Sequence, residues 1–334
     1  MQPETYLITG GAGFIGCNLA ARLLGAGRRV IIFDDLSRRG ACANLTWLNE
    51  QFRVEFVQGD IRRPEDVEQA FRRGRVDVVI HQAAQVAVTT SVVDPRVDFE
   101  VNALGTLNLL EAARWSGMDP VVLFASTNKV YGNLADLVIE EEPLRYRLRD
   151  LPAGIPEERP LAFHSPYGCS KGAADQYVHD YGRIYGLRTV NFRQSCIYGY
   201  RQFGVEDQGW VAWFTIAAVL GRPITIYGDG KQVRDVLFVE DLIEAYLAAV
   251  RHVERAAGQN FNIGGGPGCV MSLHELLRLL ELGLGRRLEI SYDQCRPGDQ
   301  RVFVANVNLA RRLLGWEPVV KPAEGVRRLL EWVQ

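Results

Sequence analysis

The chain has 334 residues, of which 47% are hydrophobic and 23% charged. That length holds one large domain or two ordinary ones around a real core, and the composition excludes a disordered or fibrous chain. A formal net charge of −2 makes no electrostatic case for nucleic acid or an acidic membrane surface.

Taken in chain order, residues 5–9 read as a short strand, followed by a glycine turn and a helix over about 14–24. Strands are expected at 29–33, 54–57, 76–80 and 121–125, each of the later ones preceded by a helix. Residues from about 96 to 115 form a strong helical pattern, with Val101, Leu104, Leu107, Leu109 and Leu110 on a largely apolar face. Repeated βα units of this kind predict a parallel sheet covered on both faces. The stretch 131–164 contains Pro143, Pro152, Pro156 and Pro160 and has no clean period, so it reads as a long irregular excursion. Ser165-Pro166 then opens a helix with a serine N-cap and a proline at the first position, running to about 185, with a strand at 188–192 after it. Beyond Gly199 the pattern is mixed, with glycine-rich joints at 228–230 and 264–266.

The expectation is an α/β fold, a Rossmann-like doubly wound parallel sheet with a smaller mixed α/β substrate-binding domain. The sheet domain is assigned to 1–195, with 232–262 returning to it, and the smaller domain to 196–231 and 263–334. No apolar run reaches the roughly 18 residues needed to span a bilayer. A strand begins almost at the N-terminus, which leaves no room for a signal peptide, so a cytoplasmic protein is expected. Cys17, Cys42, Cys169, Cys196, Cys269 and Cys295 show neither a C-x-x-C pair nor zinc spacing. They read as buried small residues or free thiols in a reducing compartment, and no metal is expected.

Gly10, Gly13 and Gly16 fall in the turn between the first strand and helix, with Phe14 and Ile15 between the last two. Glycines there let the backbone approach a pyrophosphate, and the helix N-terminus offers N–H donors to it. Asp34 ends the second strand about twenty residues on; an acid at this point bonds a ribose 2′-hydroxyl and repels a 2′-phosphate, which favours NAD over NADP. Asp60, followed by Ile61, either contacts adenine or caps a helix.

Tyr167 and Lys171 stand at i and i+4 on one helix face. A free tyrosine has a pKa of about 10, and a nearby ammonium, together with oxidised nicotinamide, favours its phenolate. Lysine suits this place because its point charge can also hold ribose hydroxyls. Only Lys129, Lys171, Lys231 and Lys321 are lysines among 38 basic residues, an imbalance that reads mostly as a bias toward arginine codons. Ser126 and Thr127 follow Ala125 at the end of the strand 121–125, the sheet edge where doubly wound folds bind ligands.

With these residues in this order, the chain resembles the extended short-chain dehydrogenase/reductases, the nucleotide-sugar epimerases and dehydratases. His81-Gln82-Ala83-Ala84, Asn102, Val130-Tyr131-Gly132 and Arg234-Asp235-Val236 extend the match over essentially the whole chain. The resemblance implies a catalytic group of Thr127, Tyr167 and Lys171. It also implies cofactor contacts from Ser37, Arg38, Ala83, Ala84, Gln85, Asn102, Ala125 and Ser126. Sugar dehydratases carry an Asp-Glu pair directly after the threonine; here Asn128 and Lys129 stand there and cannot supply that acid/base pair. UDP-sugar 4-epimerases usually show asparagine where this chain has Cys196. The runs 126–132, 164–177, 201–203, 207–210, 230–236 and 299–303 resemble the CDP-paratose 2-epimerase family. That match implies NAD-dependent epimerisation of a CDP-linked sugar at C2, with a UDP-hexose 4-epimerase or another nucleotide-sugar oxidoreductase as the alternative, and a non-catalytic NAD-binding scaffold as a further one. Arg234 and Arg296 are implied for the pyrophosphate, and Asp299 for the sugar or base. Thr89, Ser91, Asn128, Gln194, Gln208 and Gly209 are candidates around the substrate. Trp210, Trp213 and Phe214 read as core. The family habit of pairing through two helices points to about 96–116 and 166–186 as the contact of a homodimer or homotetramer.

Overall fold

The computed structural model describes residues 4–294 and 300–334. In chain order its strands begin with β1 (Thr5–Thr9), β2 (Arg29–Asp34), β3 (Glu55–Gln58), β4 (Val78–His81) and β5 (Val121–Thr127). A short hairpin, β6 (Ile139–Glu141) and β7 (Tyr146–Leu148), precedes β8 (Arg188–Gln194), β9 (Cys196–Tyr198) and β10 (Ile224–Tyr227). The remainder are β11 (Val233–Phe238), β12 (Asn260–Ile263), β13 (Val270–Ser272), β14 (Ile290–Asp293) and β15 (Val302–Phe303). Seven of them form one sheet in the order β12-β8-β5-β4-β1-β2-β3, parallel throughout.

Strand alternation explains why both faces are covered. Tyr6, Ile8, Val30, Ile32, Val78, Ile80, Val121 and Leu123 join one buried cluster, and the intervening Leu7, Ile31, Val79, Val122 and Phe124 join the other. A strand with apolar residues on both sides has to lie between two helical layers. Helices α1 (Phe14–Gly25), α2 (Ala41–Gln51) and α3 (Pro64–Phe71) follow the first three strands. The helical pattern expected from 96 forms in pieces, after α4 (Val88–Val93): α5 (Pro95–Phe99), a π-helical turn Glu100–Leu104, and α6 (Gly105–Trp115). Next come α7 (Ser165–Tyr185), α8 (Trp210–Val219) and α9 (Val239–Arg251). The expected serine cap is displaced by one residue: His164 holds the cap position without a side-chain bond, and Ser165, the first residue of α7, takes a left-handed φ of +68° while its Oγ accepts the Gly168 N–H at 3.3 Å.

Two expectations change. The excursion 131–164 is not wholly irregular, because it contains the hairpin β6–β7. That hairpin is too short to show a period, and polar contacts hold it to the second region: the Tyr146 N–H donates to Lys231 O at 2.9 Å, and ion pairs join Lys231 to Glu141 and Arg145 to Glu275. The returning segment 232–262 divides: β11 pairs with β9, β13 and β15 in a small separate sheet, whereas β12 completes the large one. Among the described residues no helix is long and apolar enough to cross a membrane. Cys17, Cys42, Cys169, Cys196 and Cys269 are free thiols, and Cys295 lies outside the described residues.

Candidate active site

The carboxyl ends of β1 to β5 and of β8 open on one cavity of about 610 Å³. The order of the sheet reverses between β1 and β4, and the glycine turn lies at that switch point, where open α/β sheets take ligands. Gly10 has a φ of +65°, and a Cβ on it would stand 2.7 Å from the Ala83 nitrogen. A Cβ on Gly16 would stand 2.3 Å from the Gly10 carbonyl oxygen. Only glycine lets the turn fold this tightly against the next strand and helix. Gly13 caps α1 without a side-chain bond, so first-turn N–H groups of the helix remain available at the cavity for an anion.

Asp34 ends β2 with a buried carboxylate that accepts the Ala12 N–H at 3.0 Å and the Leu36 N–H at 2.8 Å. Burial raises its pKa, and those N–H bonds pull it back down. Gly10, Gly13, Phe14, Ile15, Gly16, Asp34, Ser37 and Arg38 all line the cavity. So do Asp60, Ile61, Ala83, Ala84, Gln85, Ala125 and Ser126. The two readings of Asp60 meet a third partner, since its carboxylate also grips Arg62 Nη2 at 2.6 Å. The open loop, the helix N-terminus and the carboxylate at the end of β2 fit a dinucleotide with a free ribose 2′-hydroxyl.

At the opposite end, Thr127 from β5 and Tyr167 and Lys171 from α7 meet on the same cavity. Burial pushes the Tyr167 phenol up to about 12, against a hydrogen bond from Thr127 that lowers it. Lys171 is 3% exposed, its Nζ lies 4.1 Å from the Phe124 ring centroid, and burial pulls it down to about 7 against the charges of Asp175 and Asp98. From sequence, the ammonium and oxidised nicotinamide together were expected to favour the phenolate. The protein's own groups leave the phenol neutral at physiological pH, because desolvation outweighs the charge nearby.

A supporting layer escaped the sequence reading. Asp175 lies one helical turn beyond Lys171, accepts the Ser126 hydroxyl at 2.6 Å and pairs with Arg193 at 2.9 Å, both ion-pair side chains being almost wholly buried. Arg193 Nη1 in turn donates to the Tyr131 hydroxyl at 3.1 Å. The spacing 167, 171, 175 on one face was the available signal. His81 spans Thr9 and Thr106 at 2.6 and 3.0 Å, and burial drives its pKa down to about 3, so it is neutral. Arg201, stacked 4.1 Å over Trp47, also lines the cavity, as does Trp210, which packs partly buried against the core as expected.

Several expected contacts lie elsewhere. Asn102 is buried off the cavity; its amide donates to Gln85 O and Ser170 Oγ at 3.0 and 3.1 Å, so it ties the Gln85 loop to α7. Ser91 accepts the Tyr167 N–H at 3.1 Å and positions the start of α7, while Thr89 is exposed. Both sit in α4. Asn128 is buried and accepts the Thr127 hydroxyl at 3.4 Å. Arg234 donates to the carbonyls of Val233 and Gln300 at 2.9 and 2.7 Å, and its charge acts on the Cys196 thiol. None of these five residues lines the cavity, whereas Gln194, Gln208 and Gly209 do. Arg296 and Asp299 lie outside the described residues.

This strand edge is shaped to hold a dinucleotide against a tyrosine that can move a proton. Residues 6–264 match the NAD dependent epimerase/dehydratase family. The chain is 48% identical over 331 residues to the CDP-paratose 2-epimerase of Salmonella typhi, covering 98% of each. Its structure is similar to that of UDP-glucose 4-epimerase from Thermotoga maritima with UDP-glucose, with a TM-score of 0.85, 33% identity and 98% of both chains covered. It is also similar to UDP-glucose 4-epimerase from Thermus thermophilus in complex with NAD, with a TM-score of 0.81, 35% identity and 98% of both covered. The chain therefore belongs to the NAD dependent epimerase/dehydratase family, and NAD is its cofactor.

Proposed function

We propose that this protein epimerises a CDP-linked sugar at C2 through a transient 2-keto sugar. The observation that carries the reading is the 48% identity to a CDP-paratose 2-epimerase over 98% of both chains, around an intact Thr127, Tyr167 and Lys171. NAD, when bound, supplies the reversible oxidation of the sugar carbon and is regenerated in each cycle. Tyr167 takes the proton of the C2 hydroxyl as that carbon is oxidised and returns it once the ketone has presented its other face. Thr127 orients the phenol and the sugar hydroxyl. Lys171 holds the phenolate charge and the ribose hydroxyls beside it, and Asp34 holds the ribose at the far end. Gln208 and Gly209 contact the substrate, and Arg296 serves its pyrophosphate.

Asn128 speaks against dehydration: it is a buried amide occupied by the Thr127 hydroxyl, where elimination of water needs an acid. Incubation with CDP- and UDP-linked sugars, followed by proton NMR of the products, tests the assignment. Inversion at C2 of a CDP-sugar is expected; inversion at C4 of a UDP-sugar would replace the reading.

The same reading covers assembly. Trp115 on α6 and Tyr177, Ile184 and Tyr185 on α7 are large and exposed, Trp115 at 73%, and a second copy of the chain is the partner proposed for this face. Ile184→Glu should turn a dimer into a monomer in analytical ultracentrifugation, and a wild-type monomer would refute the pairing.

A further inference from the structure

Tyr246 of α9 is fully buried beneath the cavity floor. Its hydroxyl meets two side-chain amides, Gln82 Nε2 and Gln194 Nε2, each at 2.6 Å. Gln82 follows β4 and Gln194 ends β8, the two strands flanking β5, whose last residue is Thr127. Both glutamines line the cavity and Tyr246 does not. The phenol ring is packed on Phe192 with centroids 4.8 Å apart.

A phenol has one proton to give as well as lone pairs that accept. Buried between two amides, that proton has to go to an amide oxygen, because a buried donor without an acceptor loses its hydration for nothing. The oxygen and nitrogen of a glutamine exchange by a half turn, so each amide can face the phenol either way. One glutamine therefore turns its carbonyl to Tyr246 and the other its NH₂. Their far ends then differ in the same sense, one showing a donor to the cavity and the other an acceptor.

We propose that Tyr246 is a positioning residue that locks Gln82 and Gln194 in opposite orientations, so that the floor beside Thr127 offers an N–H donor and a carbonyl acceptor to the carboxamide of the nicotinamide ring. The proposal rests on the reading of this cavity as the NAD site. A dinucleotide that runs from Asp34 along the glycine turn passes Gln82, whose backbone carbon would be 2.8 Å from a Cβ on Gly10, and ends beside Thr127. A carboxamide carries one donor group and one acceptor and so matches a floor that offers one of each; a sugar hydroxyl can be served by either glutamine alone.

The test is exchange of bound NAD from the holoenzyme against labelled NAD, compared with exchange against the 3-acetylpyridine analogue, which keeps the carbonyl and lacks the amide N–H. The wild-type protein should prefer NAD about tenfold, as expected for one lost hydrogen bond. Tyr246→Phe keeps the ring against Phe192 and should abolish the preference while leaving the KM for the sugar unchanged. A merely structural role would weaken both dinucleotides equally. A preference that persists in Tyr246→Phe, or is absent from the wild type, overturns the proposal. If Tyr246→Phe does not fold, Gln82→Leu and Gln194→Leu carry the test on the dinucleotide preference alone: the one of the two that removes the carbonyl acceptor should abolish it, and a preference kept by both overturns the proposal. A wild-type protein that binds no NAD would instead overturn the reading of the cavity itself.

Discussion

Replacing Lys171 by methionine removes the charge from the site and keeps a side chain of similar length. In the protein alone the Tyr167 phenol sits at about 12, so the phenolate fraction at pH 8 is about 10⁻⁴. Bringing it to half ionisation there needs about four pKa units, or about 5 kcal/mol, from the charge of the bound cofactor and from Lys171, which sits at about 7 beside a neutral phenol and takes up its proton as the phenolate forms, so that the two titrate as a pair. Lys171→Met removes the protein's whole share. kcat should fall by about a thousandfold, the range in which a general base contributes, and the alkaline-rising limb of the pH–rate profile should move up by about two units or more. The assay is epimerisation followed by proton NMR, with kcat measured from about pH 6 to about pH 10. Lys171→Arg keeps the charge, but its seat is 3% exposed and closed by Phe124 at 4.1 Å. A planar guanidinium cannot take the ammonium's position there, so this variant should also lose most activity. A methionine variant within tenfold of wild type, with its rising limb unmoved, would refute the role assigned to the lysine.

Other consequences are as direct. Gly16→Ala places a methyl group 2.3 Å from the Gly10 carbonyl oxygen and 2.6 Å from the Gly11 Cα, both backbone atoms, so NAD retention measured on the purified protein should be lost. Asp34→Ser removes the charge that repels a 2′-phosphate, and the ratio of NAD to NADP affinity by calorimetry should fall by at least about tenfold; an unchanged ratio would place the ribose elsewhere. His81 has a folded pKa of about 3, below its unfolded value, so its neutral form contributes stability that is full above about pH 6.5 and is lost as pH falls toward 3, about 5 kcal/mol in all. Urea unfolding of His81→Gln should show a shallower loss of stability between about pH 6.5 and about pH 4 than wild type does. Turnover in heavy water should leave C2 of the product free of deuterium, and deuterium found there by NMR would sink internal return of the hydrogen.

The local signals in the sequence were enough for the sheet, the glycine turn, Asp34 and the Tyr167–Lys171 pair, since period-two strands, turn glycines and i, i+4 spacing are set by a few adjacent residues. They also marked many of the residues that line the cavity, because strand ends in a parallel sheet converge on one edge. What they could not supply was anything that depends on partners remote along the chain. Asn102 carries the family's motif yet is spent tying Gln85 to Ser170, and Ser91 holds the start of α7, because buried polar groups must be satisfied by whatever the fold brings near. Lys171 was legible as a charge, but only burial beside Phe124, within the fields of Asp98 and Asp175, sets where that charge titrates. The i, i+4 spacing thus marked the residue, and the tertiary structure decided its chemistry, since desolvation and Coulomb terms act through space and leave no trace in spacing.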